Sequence, residues 1–136
     1  MKRNVTICAA AFAALAAAAL PAAFAANDAQ VSEVFSQALP NVPGNALTAL
    51  VVRYEPGGKS AAHRHAGSVF AYVLSGAIRS ENSATGAARV YRAGDSFFEP
   101  AGSTHLLSEN ASATEPASLL AIFVAEEGAT LTRPAD

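Results

Sequence analysis

Cysteine is almost absent from this sequence, since Cys8 is the only cysteine among 136 residues. It lies inside an N-terminal apolar run, too early for the lipid-attachment cysteine that directly follows an export signal. The rest of the chain therefore forms no disulfide, although an exported protein would be allowed one. Its stability must come from a hydrophobic core, from oligomerisation, from a bound metal, or from a combination of these.

Charged residues are also scarce. They make up 15% of the chain, with 9 lysines and arginines against 11 aspartates and glutamates, for a net charge of −2. Soluble domains usually have about a quarter of charged residues. No basic face is available, so we expect no nucleic-acid partner. The length of 136 residues accommodates one domain rather than two.

Residues 1–26 have the pattern of a signal peptide. Lys2 and Arg3 form the positive start, residues 7–20 are an almost unbroken apolar run, and Ala23-Phe24-Ala25 fits the small-x-small cleavage pattern. We expect a cleavable signal helix, export to the periplasm or the outside, and no membrane contact after its removal. The alternative is an uncleaved membrane anchor, but the apolar run is shorter than the roughly 20 residues of a spanning helix.

Beyond the signal, the pattern is one of short apolar runs broken by glycine, proline and small polar residues, with no helical period. Residues 27–45 form a lead-in segment, and residues 46–136 form one domain. Strands of this length and spacing predict an all-β antiparallel sandwich or barrel. Six strands are predicted from β-branched and aromatic content: Leu47–Tyr54, Val69–Leu74, Arg89–Arg92, Ser96–Glu99, His105–Ser108 and Leu119–Val124.

Histidine occurs at three positions, which are His63, His65 and His105. Residues i and i+2 of an extended strand point to the same face, so the imidazoles of His63 and His65 would enter one space. That arrangement suits chelation of a single ion, while Arg64 should face the opposite side. An isolated His-x-His pair is a weak signal, and two solvated surface histidines are the alternative.

The residues around the histidines form two spaced motifs. These are Gly57, His63-Arg64-His65 and Gly76 in the first motif, and Gly94, Pro100-Ala101-Gly102 and His105 in the second. Together they resemble the two signature motifs of the cupin family, and the resemblance covers roughly residues 47–124. It implies a jelly-roll (double-stranded β-helix) barrel whose three motif histidines converge on one divalent transition metal. Fe(II) is favoured, and Zn, Mn, Cu or Ni are the alternatives.

One departure from the family pattern concerns the charge of this site. In the pattern, three or four residues separate the second histidine from a glutamate. Here the corresponding positions are Val69 and Phe70, preceded by Gly67-Ser68, and none of these supplies a carboxylate. Three neutral imidazoles would leave a divalent ion with its full charge of about +2 and with open positions. Such a site favours an anionic, bidentate small-molecule substrate. The alternative is a vestigial cupin that no longer binds metal.

Glu99 is the carboxylate expected near the histidines, because it ends a predicted strand six residues before His105. A three-histidine cupin with glutamate at this offset resembles the diketone-cleaving (acetylacetone) dioxygenases. The resemblance implies a catalytic role in which Glu99 lies close to the metal, outside the innermost ligands, and influences substrate orientation and water. The alternatives are a solvent-exposed Glu99 and a Glu99 that replaces the missing ligand.

The aromatic residues are weaker candidates. Phe97 or Phe98, together with Phe123, would line an apolar pocket, although core packing is the simpler interpretation for each. Core packing is also expected for the larger side chains that alternate along the second predicted strand, which are Phe70, Tyr72 and Leu74.

The leading functional hypothesis is a metal-dependent dioxygenase that acts on a small enolisable or oxyanionic substrate. The metal ligands would be His63, His65 and His105, with Glu99 beside them. A non-catalytic periplasmic cupin that binds a metal or a small ligand is the alternative, and a purely structural cupin without metal is the third. A homodimer is implied by the resemblance alone.

Overall fold

The computed structural model describes residues 29–135, so the predicted signal peptide lies outside the described residues. No helix with the length and hydropathy needed to cross a membrane occurs within this range. The described chain folds into eleven strands: β1 (Gln30–Ala38), β2 (Asn45–Tyr54), β3 (Lys59–Ser60), β4 (His63–His65), β5 (Ser68–Ser75), β6 (Ala77–Asn82), β7 (Gly86–Arg92), β8 (Ser96–Glu99), β9 (Thr104–Asn110), β10 (Ala117–Glu126) and β11 (Thr132–Pro134).

The strands form two antiparallel sheets. The first has the order β1-β2-β10-β5-β8, and the second has the order β11-β4-β9-β6-β7 with β3 paired to β9. Strands that are distant in the sequence are neighbours in both sheets, as in a jelly roll. The predicted all-β jelly-roll fold is thus confirmed, and each of the six predicted strands lies within an observed strand.

Two longer strands, β1 and β6, were not predicted from the sequence. β1 lies within the predicted lead-in and pairs with β2, but all nine of its residues are exposed, so its sequence has no apolar alternation. In β6 the inward-facing residues are Ile78, Ser80 and Asn82, of which two are polar. A strand with polar residues on its buried face lacks the hydrophobic pattern by which strands are recognised.

The core lies between the sheets, where bulky rings meet small side chains. On β5 the buried residues are Val69, Ala71 and Val73. Ala71 pairs with Phe97 of β8, and Val69 pairs with Phe123 of β10. The small aliphatic residues of β5 thus lie beside larger rings on the inner face of the first sheet.

The predicted core packing is wrong for the large side chains of β5. They lie on the outer face of the first sheet, with 40–45% of each residue exposed: Phe70, Tyr72 and Leu74. Phe98 shares this outer face and is 52% exposed, whereas Phe97 faces inward. The strand parity was predicted correctly, but the smaller residues occupy the inward-facing set.

A close backbone contact determines the path from β4 into β5. Gly67 lies against the Val124 carbonyl group of β10, and a Cβ atom at position 67 would overlap it. Only glycine allows this approach, which brings the end of β4 against the first sheet. The histidines of β4 are thereby held at the junction of the two sheets.

Candidate metal centre

The three histidines meet at one point of the fold. β4 lies between β11 and β9, and its register places His63 directly opposite His105. The ring centroid of His63 lies 4.7 Å from that of His65 and 5.0 Å from that of His105. One nitrogen from each ring lies within 4.8 Å of the others, so all three imidazoles can reach a single ion.

Each imidazole is held by a hydrogen bond on the side away from the cluster. The Nδ1 atom of His63 lies 2.7 Å from the Ala61 carbonyl oxygen. The Nδ1 atom of His65 lies 3.3 Å from the Leu131 carbonyl oxygen and 3.2 Å from Thr132 Oγ1. An Nδ1–H that donates to a carbonyl leaves the Nε2 lone pair available for a metal.

His105 has the opposite orientation. Its Nε2 atom lies 2.8 Å from the Ser80 hydroxyl oxygen, and its Nδ1 atom faces the Glu99 carboxylate. The imidazole is almost completely buried, with 4% of the residue exposed. Ser80 on β6 therefore fixes the ring plane of His105 and leaves Nδ1 facing the cluster.

The buried imidazoles are neutral at physiological pH. Burial, followed by the nearby His63, lowers the pKa of His65 to about 4. Burial, followed by His63 and then His65, lowers the pKa of His105 to about 3. Since a transition metal binds the unprotonated imidazole, these two residues are in the ligating form without having to lose a proton.

Glu99 lies inside the barrel beside the histidines, with 3% of the residue exposed, so a solvent-exposed Glu99 is excluded. Its Oε2 atom lies 3.1 Å from His105 Nδ1 and 3.6 Å from His65 Nε2. Asn82 Nδ2 donates a hydrogen bond of 3.2 Å to the same oxygen. Burial raises the pKa of Glu99 to about 7, and the Asn82 hydrogen bond partly opposes this effect.

Asn82 and Ser80 are site residues that the sequence analysis missed. Asn82 is buried, and its Nδ2 atom also donates to Ser103 Oγ at 2.9 Å, so it links Glu99 to the turn before β9. The only available signal was the alternation of Ile78, Ser80 and Asn82, but it could not be read without recognising β6 as a strand.

A cavity of about 350 Å³ opens from the histidine cluster into the barrel. Its polar end contains the three histidines and Glu99. Its walls are mainly aliphatic and aromatic side chains: Leu50, Val52, Val69, Leu119, Phe97 and Phe123. The predicted pocket roles of Phe97 and Phe123 are thus supported, while Phe98 lies outside. The Phe123 ring packs edge-on against His65 with the centroids 5.0 Å apart.

The Tyr54 hydroxyl group on the cavity wall is already paired. The Tyr54 hydroxyl group shares hydrogen bonds with Ser108 Oγ at 2.7 Å and with Ser60 Oγ at 3.0 Å. Arg64 faces away from the cluster, as predicted, and its Nε atom donates to Thr104 Oγ1 at 3.1 Å. The histidines form the candidate ligating cluster of the cavity, with Glu99 beside them, and the lining also includes Thr132 and Arg133.

The residues present fit a divalent transition metal. Three imidazole nitrogens converge, one from a buried ring and two from half-buried rings. The rings are oriented by hydrogen bonds, and a carboxylate oxygen lies within 3.6 Å of two of the nitrogens. Mixed nitrogen and oxygen donors suit iron, manganese, zinc, copper and nickel. The cluster is therefore a candidate three-histidine metal site.

Comparison with protein families agrees with this architecture. The sequence model of the family described as "Cupin domain" matches residues 50–123, more than half of the chain. The chain belongs to the cupin family. Curated proteins give no match to this cupin.

Solved structures similar to this cupin share its fold. An uncharacterised conserved protein with a double-stranded β-helix domain from Klebsiella pneumoniae is 22% identical, with a TM-score of 0.61 over 80% of this chain and 85% of its own. A cupin domain from Bordetella pertussis is 19% identical, with a TM-score of 0.54 over 73% of this chain and 95% of its own.

An enzyme with a known substrate is also similar. An oxalate decarboxylase variant from Bacillus subtilis is 31% identical over 61% of this chain, with a TM-score of 0.52. The match covers only 22% of that enzyme, so it concerns one part of a larger protein. These comparisons confirm the cupin family, and the diketone-cleaving subtype remains a proposal.

Proposed function

We propose that this cupin is a non-haem metal-dependent dioxygenase that acts on a small enolisable or oxyanionic substrate. The observation that carries the proposal is the position of three imidazoles at the polar end of an apolar cavity of about 350 Å³. A cavity of this size suits a small molecule, and its polar lining combines the histidines and Glu99 with Ser60, Thr132 and Arg133.

When bound, a divalent metal supplies a Lewis acid for two substrate oxygens and the redox capacity for a reaction with dioxygen. The chain itself contributes orientation and exclusion of water. Ser80 and the Ala61 carbonyl group hold the rings of His105 and His63. Phe97 and Phe123 close the cavity wall beside His105 and His65, which keeps bulk water away from a bound substrate.

Two similarities support a small enolisable or oxyanionic substrate. The oxalate decarboxylase similar to this chain acts on a small carboxylate, and the three-histidine motif with Glu99 resembles the diketone-cleaving dioxygenases. In the cleavage of a β-dicarbonyl compound, one carbon–carbon bond breaks and both atoms of O2 enter the two products. The substrate supplies the electrons, so no external reductant is needed.

Oxygen uptake tests the proposed activity. We expect the Fe(II)-loaded protein, lacking residues 1–26, to consume O2 and substrate in equal amounts with at least one member of a panel of β-dicarbonyl compounds and small carboxylates. Glu109→Gln, which removes a half-buried carboxylate paired with Arg79, is a matched control that should keep this activity. Ligand binding without turnover across the panel would instead support the non-catalytic metal- or ligand-binding cupin.

Metal analysis tests the site independently of turnover. We expect about one equivalent of a divalent metal in the reconstituted protein and a loss of metal in His105→Ala. Leu106→Ala, on the exposed side of the same strand, is the control and should retain metal. Less than about a tenth of an equivalent in the wild type would support the structural cupin without metal.

Export bears on which metal the protein acquires. We propose that residues 1–26 direct it to the periplasm or the outside, where Fe(II) is harder to keep reduced than in the cytoplasm. Fe(II) stays the favoured ion for the reaction, and Zn, Mn, Cu or Ni are alternatives for the protein isolated from cells. Cell fractionation and N-terminal sequencing of the isolated protein test this proposal.

A further inference from the structure

The pairing of β5 with β8 places Glu99 next to the position at which the family pattern has a glutamate. Val69, four residues after His65, is the direct cross-strand partner of Glu99. Opposed residues of an antiparallel pair point to the same face, with Cβ atoms about 4.5–5.5 Å apart. Both side chains are buried and line the same cavity. A carboxylate at position 99 thus enters the space that one at position 69 would occupy.

The distances from Glu99 to the imidazoles fit a shared ion. Oε2 lies 3.1 Å from His105 Nδ1 and 3.6 Å from His65 Nε2. Two donors bound to one metal at about 2.1 Å lie about 3.0 Å apart at an octahedral right angle and about 3.4 Å apart at a tetrahedral angle. Each observed separation lies within about 0.2 Å of one of these values, so the carboxylate oxygen lies at a ligand's distance from both rings.

The surroundings of Glu99 keep its Oε2 atom directed at the histidine cluster. Asn82 Nδ2 donates to Oε2, and Asn82 is itself anchored because its Oδ1 atom accepts a hydrogen bond from the Ala84 amide at 2.9 Å. Among residues 29–135, the basic side chains within salt-bridge distance of Glu99 are His65 and His105. A buried carboxylate without a lysine or arginine partner is costly unless a cation compensates it.

We propose that Glu99 is the fourth protein ligand of the metal, so that β8 supplies the carboxylate that β5 lacks. This inference rests on the proposed metal site, but not on dioxygenase activity. The donor set becomes three histidines and one glutamate, and a divalent ion then has a net charge of about +1 rather than +2. Glu99 is accordingly assigned a closer position than the one outside the innermost ligands that the resemblance implies.

A carboxylate exchange between the two strands tests the proposal. The variants are Glu99→Val and the double variant Val69→Glu/Glu99→Val, which differs from it only in the return of a carboxylate across the strand pair. Binding of Co²⁺ to the metal-free proteins is measured by competition with a chelator and by visible absorption. We expect Glu99→Val to weaken binding roughly 100-fold or more, beyond the usual loss for a residue that only orients a ligand.

The comparison of the double variant with Glu99→Val is the main test of the proposal. If Glu99 is a ligand, the glutamate at position 69 should restore Co²⁺ affinity to within about tenfold of the wild type and restore the wild-type absorption band. A glutamate at position 69 that restores neither the affinity nor the band in a folded double variant overturns the proposal, because both positions open into the same space. Circular dichroism of the metal-free proteins establishes which variants are folded.

Glu99→Gln provides a check that preserves side-chain shape. It should fold like the wild type, lose affinity for Co²⁺ and show a Co²⁺ absorption band of altered energy. Wild-type affinity and an unchanged band in this variant would also overturn the proposal. A wild type that binds no metal contradicts the proposed function instead, so the two failures are distinguishable.

Discussion

At the residue scale, the local environment decides whether a side chain can serve the site. The chain has three histidines, and the structure brings all of them to one point. Ser80 and Asn82 matter because they orient His105 and Glu99, not because of any reactivity of their own. Such residues have no distinctive sequence pattern, since a serine or asparagine in a strand is usually exposed.

The raised pKa of Glu99 predicts a pH-dependent stability difference in the metal-free protein. The folded state keeps the Glu99 proton up to about pH 7, whereas the unfolded state loses it near the ordinary value of 4.5. Between these values the folded state binds more protons, so this residue lowers the free energy of unfolding as pH rises. Glu99→Gln lacks this effect.

We therefore expect Glu99→Gln to gain stability relative to the metal-free wild type as pH rises from about 4.5 to about 7, by roughly 3 kcal/mol in total. Urea unfolding of both proteins at several pH values measures the difference. Other titrating groups are common to both proteins and cancel in the comparison. A constant difference across this range would contradict the assigned environment of Glu99.

At the element scale, the turn between β5 and β6 depends on one glycine. Gly76 has a φ of +68°, and a Cβ atom at this position would lie 2.6 Å from the Pro116 carbonyl oxygen. Two costs therefore add, which are the left-handed backbone and a contact with another backbone segment. Gly86, with a φ of +96° and nothing within 4 Å of such a Cβ, has only the first cost.

We expect Gly76→Ala to lower the free energy of unfolding by about 2–4 kcal/mol, and Gly86→Ala by only about 1–2 kcal/mol. Denaturant unfolding of the two variants beside the wild type gives both values. Equal losses would show that the approach of Pro116 adds nothing. The larger loss that we expect for Gly76→Ala would show that the motif glycine at position 76 is required for packing as well as for the turn.

The elements missed from the sequence share a physical cause. β1 and β6 lack an alternation of apolar and polar residues, because β1 has no buried face and β6 buries polar side chains. The six predicted strands contain the apolar alternation or apolar runs that burial demands. Which face points inward was harder to predict, since Phe70 and Tyr72 are larger than the buried Ala71.

At the scale of the whole molecule, the outer face of the first sheet is unusually apolar. Neighbouring strands place Phe98, Phe70 and Ile122 in one cross-strand row, with Tyr72 and Leu120 in the next. Five strands spaced about 4.8 Å apart and about eight residues long present roughly 600 Å² of flat face. Contact between two copies through this face would bury about 1,200 Å² in total, at the lower limit for a stable interface.

We propose that this face joins two copies into a homodimer. Sedimentation of the protein lacking residues 1–26 should give twice the mass of one chain, and Phe70→Asp or Phe98→Asp should give the monomer. Leu106→Asp, an equally exposed apolar position on the second sheet, should stay dimeric and is the control. A monomeric wild type at micromolar concentration would contradict the proposal.

The sequence by itself determined the fold class and the identity of the three candidate ligating histidines. Strand periodicity places His63 and His65 on one face whatever the rest of the chain does, and the motif spacing adds His105. Only the tertiary structure decided where Glu99 lies. Its position depends on the pairing of Val69 with Glu99, which are thirty residues apart. A register between distant strands results from the packing of the whole barrel, and no local pattern encodes it.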